Sequence, residues 1–226
     1  MKIRILPRAG RRVLLAAGAL AAIAGAAGCI IPAAIGGMAQ SYRMTGTSKV
    51  WAEYTGLQGK TYAVVTLADR AIEAEHPGLV ARVTQRVNDR LRAHAGATGH
   101  IPSDTILAYT YNNPHWQAMP RGELAAKLKV DRLIIIELLE YRLNEPGNDI
   151  VWDGTAAATV SVVEGESGVL DEPIFEKAIN VTFPDVMGLT YNEIPQAAVT
   201  TELSNRLIDR IAWTFYDHEE PNMIKY

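Results

Sequence analysis

The chain has 226 residues, of which 48% are hydrophobic and 21% charged, and these values are typical of globular rather than disordered or fibrous proteins. Without its first five basic residues the formal net charge would change from −3 to −8, because 17 basic residues would face 25 acidic ones. Such a balance excludes the clustered basic face that nucleic acids require, and an anionic lipid surface would repel it weakly.

The N-terminus has the pattern of an export signal. Basic residues precede an uncharged segment at 13–39, whose most apolar part ends in Ala26-Ala27-Gly28 directly before Cys29, the only cysteine of the chain. This segment resembles a bacterial lipobox, although Ala26 stands where such signals more often have Leu. The resemblance implies a signal peptide at 1–28, cleavage before Cys29, three acyl chains on the new N-terminus, and a tether at 29–58.

Acyl chains would explain membrane attachment where charge does not. Each buried methylene contributes about 0.8 kcal/mol, and one chain anchors a protein only marginally, whereas three would hold it durably. An uncleaved signal-anchor is an alternative, because the uncharged run exceeds the roughly 20 residues that a membrane-spanning helix needs. Pro32 and the pair Gly36-Gly37 weaken that alternative, and Arg11-Arg12 forms a faint twin-arginine export pattern. Every version predicts a bacterial envelope protein that faces the periplasm, at either the inner or the outer membrane.

The rest of the chain, 59–226, is predicted to be one α/β domain. In chain order the pattern predicts a buried strand at 61–67, a helix from Pro77 to Gly96, a strand at 106–111, a helix at 121–129 and a strand at 133–136. The continuous apolar run at 133–136 is typical of a strand in the centre of a covered sheet. Glu137 follows it, and burial there would require an ion pair.

The C-terminal third changes character, because apolar and polar residues alternate with a period of two. This alternation predicts two antiparallel strands with one solvent-facing side, at 152–162 and 175–183. A last helix at 194–215 is predicted to direct seven residues at the core: Ala197, Ala198, Leu203, Leu207, Ile208, Ile211 and Phe215. The expected fold is therefore an α/β (α+β) domain with a single mixed sheet of about five strands, in the order β-α-β-α-β-β-β-α.

This element order, after a lipobox, resembles a group of bacterial envelope lipoprotein domains. The group includes the curli-secretion lipoproteins, the penicillin-binding-protein activator lipoproteins and the N-terminal domain of the TolB translocation protein. The likeness lies in the first strand, 59–67, and in the helix–loop–strand segment 122–137. A closer resemblance is to predicted lipoproteins of planctomycete bacteria, through Ala68-Asp69-Arg70 and His218-Glu219-Glu220. The wider resemblance implies a non-catalytic assembly or binding role, although the pore-forming segments of the curli family have no counterpart here.

Motifs of catalysis and cofactor binding are not found in the sequence, which has no Gly-x-Ser-x-Gly, phosphate-binding loop or dinucleotide fingerprint. No catalytic residue, metal or cofactor is therefore predicted. Three charged segments remain as candidates. The loop 69–76 with Asp69 and Arg70 follows the first strand, where α/β sheets often bind ligands. Arg82, Arg86 and Arg90 are spaced to share one helix face, and the segment 217–220 offers loose metal ligands.

These observations predict a membrane-anchored module that binds or assembles another envelope component, with a protein partner and no nucleic acid. Arg82, Arg86, Arg90, Asp69 and Arg70 are the candidate partner-binding residues. An auxiliary subunit of a transport system that binds a lipid or small molecule is the first alternative, and it requires an apolar cavity. An enzyme that uses the loop 69–76 is a less favoured alternative.

Overall fold

The computed structural model describes residues 46–148, 150–165 and 172–222. The predicted signal peptide, Cys29 and most of the predicted tether lie outside these residues. Inside the described ranges, none of the helices combines the length and the apolar character that crossing a membrane demands. The main unit of the chain comprises residues 49–220, and the following description concerns that unit.

The described residues form seven strands and five α-helices. The strands are β1 (Thr47–Val50), β2 (Thr61–Ala68), β3 (Gly99–His100), β4 (Arg132–Arg142), β5 (Gly154–Glu164), β6 (Phe175–Phe183) and β7 (His218–Pro221). The helices are α1 (Arg70–Glu75), α2 (Leu79–His94), α3 (Ser103–Asn112), α4 (Arg121–Leu128) and α5 (Gln196–Trp213), with a 3₁₀ turn at Pro114–Ala118. β1 and β7 form a two-stranded sheet of their own.

The main sheet has five strands in the order β3-β2-β4-β5-β6, which confirms the predicted mixed sheet. β3, β2 and β4 are parallel, whereas β5 and β6 run antiparallel to their neighbours. The beginnings of β2 and β4 are joined by the Asp131 carboxylate, which accepts hydrogen bonds from Thr61 N at 2.7 Å and Thr61 Oγ1 at 2.9 Å. These bonds lower the pKa of Asp131 below its ordinary value.

Helices cover both faces of this sheet because β2 and β4 are apolar on both sides. α2 and α5 pack on one face, where the core includes Tyr62, Val64, Ile134, Val83, Val87, Leu203 and Leu207. α3 and α4 pack on the opposite face, where the core includes Ala63, Val65, Leu133, Ile135, Ile106 and Leu124. The second cluster also buries Val163 of β5, and Ser161 is buried as well. The prediction that β5 has one fully solvent-facing side is therefore wrong.

The strand predicted at 106–111 is wrong, because these residues lie in helix α3. Ile106, Tyr109 and Tyr111 favour strands by intrinsic propensity, but propensity is a weak preference that packing overrides. In the helix, Ile106 is buried in the second core cluster and Tyr109 packs against it one turn later. The second strand is instead the two-residue β3, which pairs only with Thr61 and Tyr62.

Three smaller expectations also differ from the structure. α5 begins after Pro195, and Ala197 and Ala198 are exposed rather than core-facing. Glu137 is half-buried, and within the described ranges it forms no ion pair. Packing begins before Gly59, because Leu57 is fully buried and the ring of Tyr54 lies 5.9 Å from that of Phe215.

Arg206 of α5 fixes the connection that follows β6. Its guanidinium donates two hydrogen bonds of 2.7 Å to the Asp185 carboxylate, and it also donates to Thr182 O at 3.0 Å and to Glu202 at 3.1 Å. The side chain of Arg206 is only 5% exposed, whereas that of Asp185 is 45% exposed. A buried guanidinium requires such partners because an unpaired buried charge is strongly unfavourable.

We therefore expect Asp185→Ala to lower the free energy of unfolding by about 2 kcal/mol, less than for a fully buried pair because Glu202 and solvent partly replace the lost carboxylate. Chemical denaturation monitored by circular dichroism measures this change. Glu176→Ala, at an exposed position of β6, is the matched control and should change stability by less than about 0.5 kcal/mol. Equal stability of the two variants would contradict the role given to Asp185.

Candidate functional site

A groove of about 960 Å³ lies between the N-terminal halves of α2 and α5. We call it the α2–α5 groove. Its walls contain Gly78, which precedes α2, and Ala81, Arg82, Gln85 and Arg86 of α2. α5 contributes Gln196, Ala197, Thr200, Thr201, Ser204 and Asn205. The lining thus contains two cations and several uncharged hydrogen-bonding side chains. No acidic residue of the described chain lines it.

The three arginines that were predicted to share one helix face have different surroundings in the structure. Arg82 and Arg86 line the groove and are exposed, whereas Arg90 forms an ion pair with Asp209 of α5. Arg86 makes no hydrogen bond or ion pair with any residue that the structure describes. Two of the three predicted positive charges therefore face the groove, and the third is neutralised by the protein itself.

The floor of the groove is a hydrogen-bond network around Ser204, which is 1% exposed. Its Oγ lies 2.7 Å from the Tyr141 hydroxyl and 2.6 Å from Thr200 O, and Arg82 Nη1 donates to it at 3.4 Å. Burial raises the pKa of Tyr141 above its ordinary value, although the Ser204 hydrogen bond and the charge of Arg82 oppose this effect. The hydroxyl of Tyr141 therefore stays protonated and links β4 to α5.

The predicted loop 69–76 is mostly the short helix α1, and the structure does not bring Asp69 or Arg70 into the groove. Asp69 caps α1, because its Oδ1 accepts a hydrogen bond of 2.8 Å from Ile72 N. Arg70 lies on the exposed surface of the helix. His76 is half-buried with its ring 4.6 Å from that of Tyr141. Burial lowers the pKa of His76, against the opposing effects of Glu75 and a backbone hydrogen bond with Tyr141.

The side chains of the segment 217–220 are engaged in contacts with the rest of the fold. His218 stacks on Trp213 with ring centres 4.5 Å apart, and its Nε2 lies 2.9 Å from Glu220 Oε1. Arg210 donates to the same Glu220 oxygen at 2.5 Å. Across the described ranges, no group of three or more His, Cys, Asp or Glu side chains is arranged to hold a metal ion.

Several residues of the groove were not predicted from the sequence. Tyr141 and Ser204 are 63 residues apart in the chain, and only the packing of α5 on β4 brings their hydroxyls together. Gln85, Thr200 and Thr201 are ordinary polar residues of helix surfaces, so no sequence signal distinguishes them. Cys29, the predicted lipidation site, lies outside the described residues.

No protein-family model matches the sequence, and no curated protein matches it. Among solved structures, the chain is similar to lipoprotein GNA1162 of Neisseria meningitidis, with a TM-score of 0.44 and 15% identity over 67% of this chain and 97% of that one. It is also similar to the PelC dodecamer of Paraburkholderia phytofirmans, with a TM-score of 0.42 and 12% identity over 76% and 99%. Protein XCC0632 of Xanthomonas campestris gives a TM-score of 0.46 and 10% identity over 74% and 87%.

These likenesses are remote, because all three TM-scores are below 0.5 and all three identities are far below 25%. The three proteins come from bacteria, and one of them is described as a lipoprotein. They identify neither a family nor an activity for this chain. The resemblance to the curli-secretion, activator and TolB group, and to planctomycete proteins, stays a prediction.

Because of the hydrogen-bond network beneath the groove, we expect Tyr141→Phe to lower the stability of the protein modestly. This change removes one buried hydroxyl but leaves Ser204 bonded to Thr200 O, so we expect a loss of about 1 kcal/mol in the free energy of unfolding. Tyr111→Phe removes an exposed hydroxyl from α3 and should be neutral. Denaturation curves of both variants test this expectation, and an unchanged stability of Tyr141→Phe would show that the Tyr141 hydroxyl contributes nothing to stability.

Proposed function

We propose that this protein is a non-catalytic binding module of the bacterial cell envelope, anchored to a membrane through acyl chains on Cys29. Its α2–α5 groove binds an acidic segment of another envelope protein. The observation that carries this proposal is the pairing of Arg82 and Arg86 in a groove that no acidic side chain of the described residues neutralises.

The charge of the whole protein makes this groove selective. Apart from its five N-terminal basic residues the chain has a formal net charge of −8, so an acidic partner is repelled from most of the surface. Arg82 and Arg86 lie one helical turn apart, and guanidinium groups bind carboxylates through two parallel hydrogen bonds. Gln85, Thr200 and Asn205 add neutral donors and acceptors that suit the backbone of a bound peptide.

The non-catalytic part of the proposal is supported by how the protein uses its charged groups. Asp69 of the enzymatic alternative is engaged as the cap of α1. Glu73 and Glu75 are exposed on the same short helix. Tyr141 beneath the groove has a raised pKa and is held in a structural network, which disfavours a role as a proton acceptor.

The anchor is tested by metabolic labelling with an alkyne analogue of a fatty acid. We expect the wild-type protein to carry the label and to sediment with membranes, because three acyl chains anchor durably. Cys29→Ser should lose the label, whereas Ser41→Ala should keep it. A mature protein that begins elsewhere, with the thiol of Cys29 free, would contradict lipid anchoring without affecting the binding role of the groove.

The groove is tested with a hexaglutamate peptide titrated into the protein and followed by NMR. At low ionic strength we expect the double variant Arg82→Gln/Arg86→Gln to bind the peptide about fivefold to tenfold more weakly, since each exposed ion pair contributes up to about 1 kcal/mol. Added salt should weaken binding to the wild type in the same direction. Arg92→Gln removes an exposed arginine from α2 outside the groove and should leave the affinity unchanged.

Photocrosslinking at two positions of α2 tests for a partner of the groove in cells. A photoreactive benzoylphenylalanine in place of Gln85, inside the groove, should crosslink an envelope protein, and the adduct should disappear in the Arg82→Gln/Arg86→Gln background. The same residue in place of Asp89, on α2 outside the groove lining, should give no such adduct. Equal weakening of peptide binding by Arg92→Gln, or an adduct that does not depend on Arg82 and Arg86, would contradict the proposal.

A further inference from the structure

Trp51 is an aromatic side chain that the fold leaves uncovered. The chain has four tryptophans, of which Trp116 and Trp152 are buried and Trp213 is half-buried, whereas Trp51 is 67% exposed. Tryptophan is a mostly buried residue in folded proteins, because its large ring is unfavourable in water. Lys49 Nζ lies 4.0 Å from the centre of the Trp51 ring, in a cation–π contact. The surface of the protein therefore presents an indole ring beside an ammonium group.

The position of Trp51 in the chain indicates what covers it. The main unit begins at Lys49, so Trp51 lies where the N-terminal segment joins the domain. The chain from Cys29 to Lys49 spans at most about 70 Å, since a residue adds no more than about 3.6 Å. If Cys29 is acylated, a contact between the domain and the bilayer is intramolecular and needs little affinity of its own. The part of the domain that carries Trp51 is then the part joined most directly to the membrane.

The charges around Trp51 suit a lipid surface without net charge. Three ion pairs lie beside the ring, namely Lys49 with Asp217 at 3.6 Å, Lys177 with Glu53, and Arg210 with Glu220 at 2.5 Å. These pairs neutralise one another locally, although the chain without its N-terminal basic residues has a formal net charge of −8. Tryptophan is enriched where lipid headgroups meet the hydrocarbon, and a lysine beside it keeps its ammonium group in water while its methylenes contact lipid.

We propose that Trp51 and Lys49 rest in the headgroup region of the bilayer that holds the acyl chains of Cys29, and that this contact orients the domain. The inference rests on the proposed lipid anchor. Helix α5 sets the orientation, because Trp213 in its last turn lines the same recess of about 180 Å³ as Trp51, whereas Gln196 in its first turn lines the α2–α5 groove. The rise of the helix separates these two residues by about 25 Å. The groove therefore lies away from the bilayer, where another envelope protein can reach it.

The test measures the tryptophan fluorescence of the complete acylated protein in vesicles of phosphatidylethanolamine and phosphatidylcholine. Bromine atoms on the acyl chains of the phosphatidylcholine quench an indole ring that lies close to them. The wild type should lose roughly a quarter of its tryptophan emission, because one ring in four lies at the lipid interface. Bromine near the headgroups should quench more strongly than bromine near the chain ends, since the ring lies at a shallow depth. Trp51→Phe should show no loss.

The matched control moves the exposed ring to another part of the domain. Met187 is 99% exposed and follows the C-terminal end of β6, whereas Lys177 near the start of β6 lines the recess beside Trp51. About 20 Å of strand separate Lys177 from Phe183 at the end of β6. The double variant Trp51→Phe/Met187→Trp therefore has an exposed indole that should not be quenched by the brominated lipid.

The outcomes separate this contact from the anchor itself. An acylated wild type that sediments with the vesicles but keeps its full emission overturns the contact and leaves the anchor and the α2–α5 groove unaffected. A loss that persists in Trp51→Phe, or an equal loss in Trp51→Phe/Met187→Trp, overturns the contact as well. A wild type that carries no acyl chains and does not sediment with the vesicles overturns the anchor, and the contact is overturned with it.

Discussion

The parallel pairing of β2 with β4 is the constraint on which the rest of the structure depends. Both strands are apolar on both faces, and a sheet of this kind is stable only when helices exclude water from each side. The Asp131 carboxylate fixes the start of the pair by binding Thr61, and from there Val64 and Ile134 lie side by side in the register. The chain must therefore place α2 and α5 on one face and α3 and α4 on the other. The α2–α5 groove lies where two of these helices meet each other.

The helix α2 shows how one sequence pattern produces both packing and chemistry. Val83 and Val87 point into the core, and their neighbours Arg82 and Arg86 consequently stand at the boundary of the buried stripe, where they face α5. One turn further along, the same spacing brings Arg90 to Asp209 and neutralises it. The positive charge of the α2–α5 groove is therefore a local property of the first two turns of the helix. The chain as a whole has a negative net charge.

The sequence predicts those parts of the fold in which composition and period agree. The run at 133–136, the spacing of Leu79, Val83 and Val87, and the alternation at 175–183 each define an element correctly, because burial and propensity favour the same structure. The prediction for the segment 106–111 is wrong because burial and propensity favour different structures there. Packing against Ala63 and Val65 decides in favour of a helix. Helical spacing also finds Arg82 and Arg86. It does not find Ser204 or Tyr141, whose roles depend on a contact between segments that are far apart in the chain.

The residue before α2 has one more consequence, because Gly78 lines the α2–α5 groove directly before the helix begins. Gly78 adopts the left-handed conformation, with φ of 82°, that lets the chain enter the helix directly after Pro77. Any other residue at this position would be strained, because L side chains rarely adopt this backbone conformation, although no other atom lies within 4 Å of the place that a Cβ would occupy. The entry into α2, and with it the position of Arg82 in the groove, therefore depends on the backbone freedom of one residue and not on the space around it.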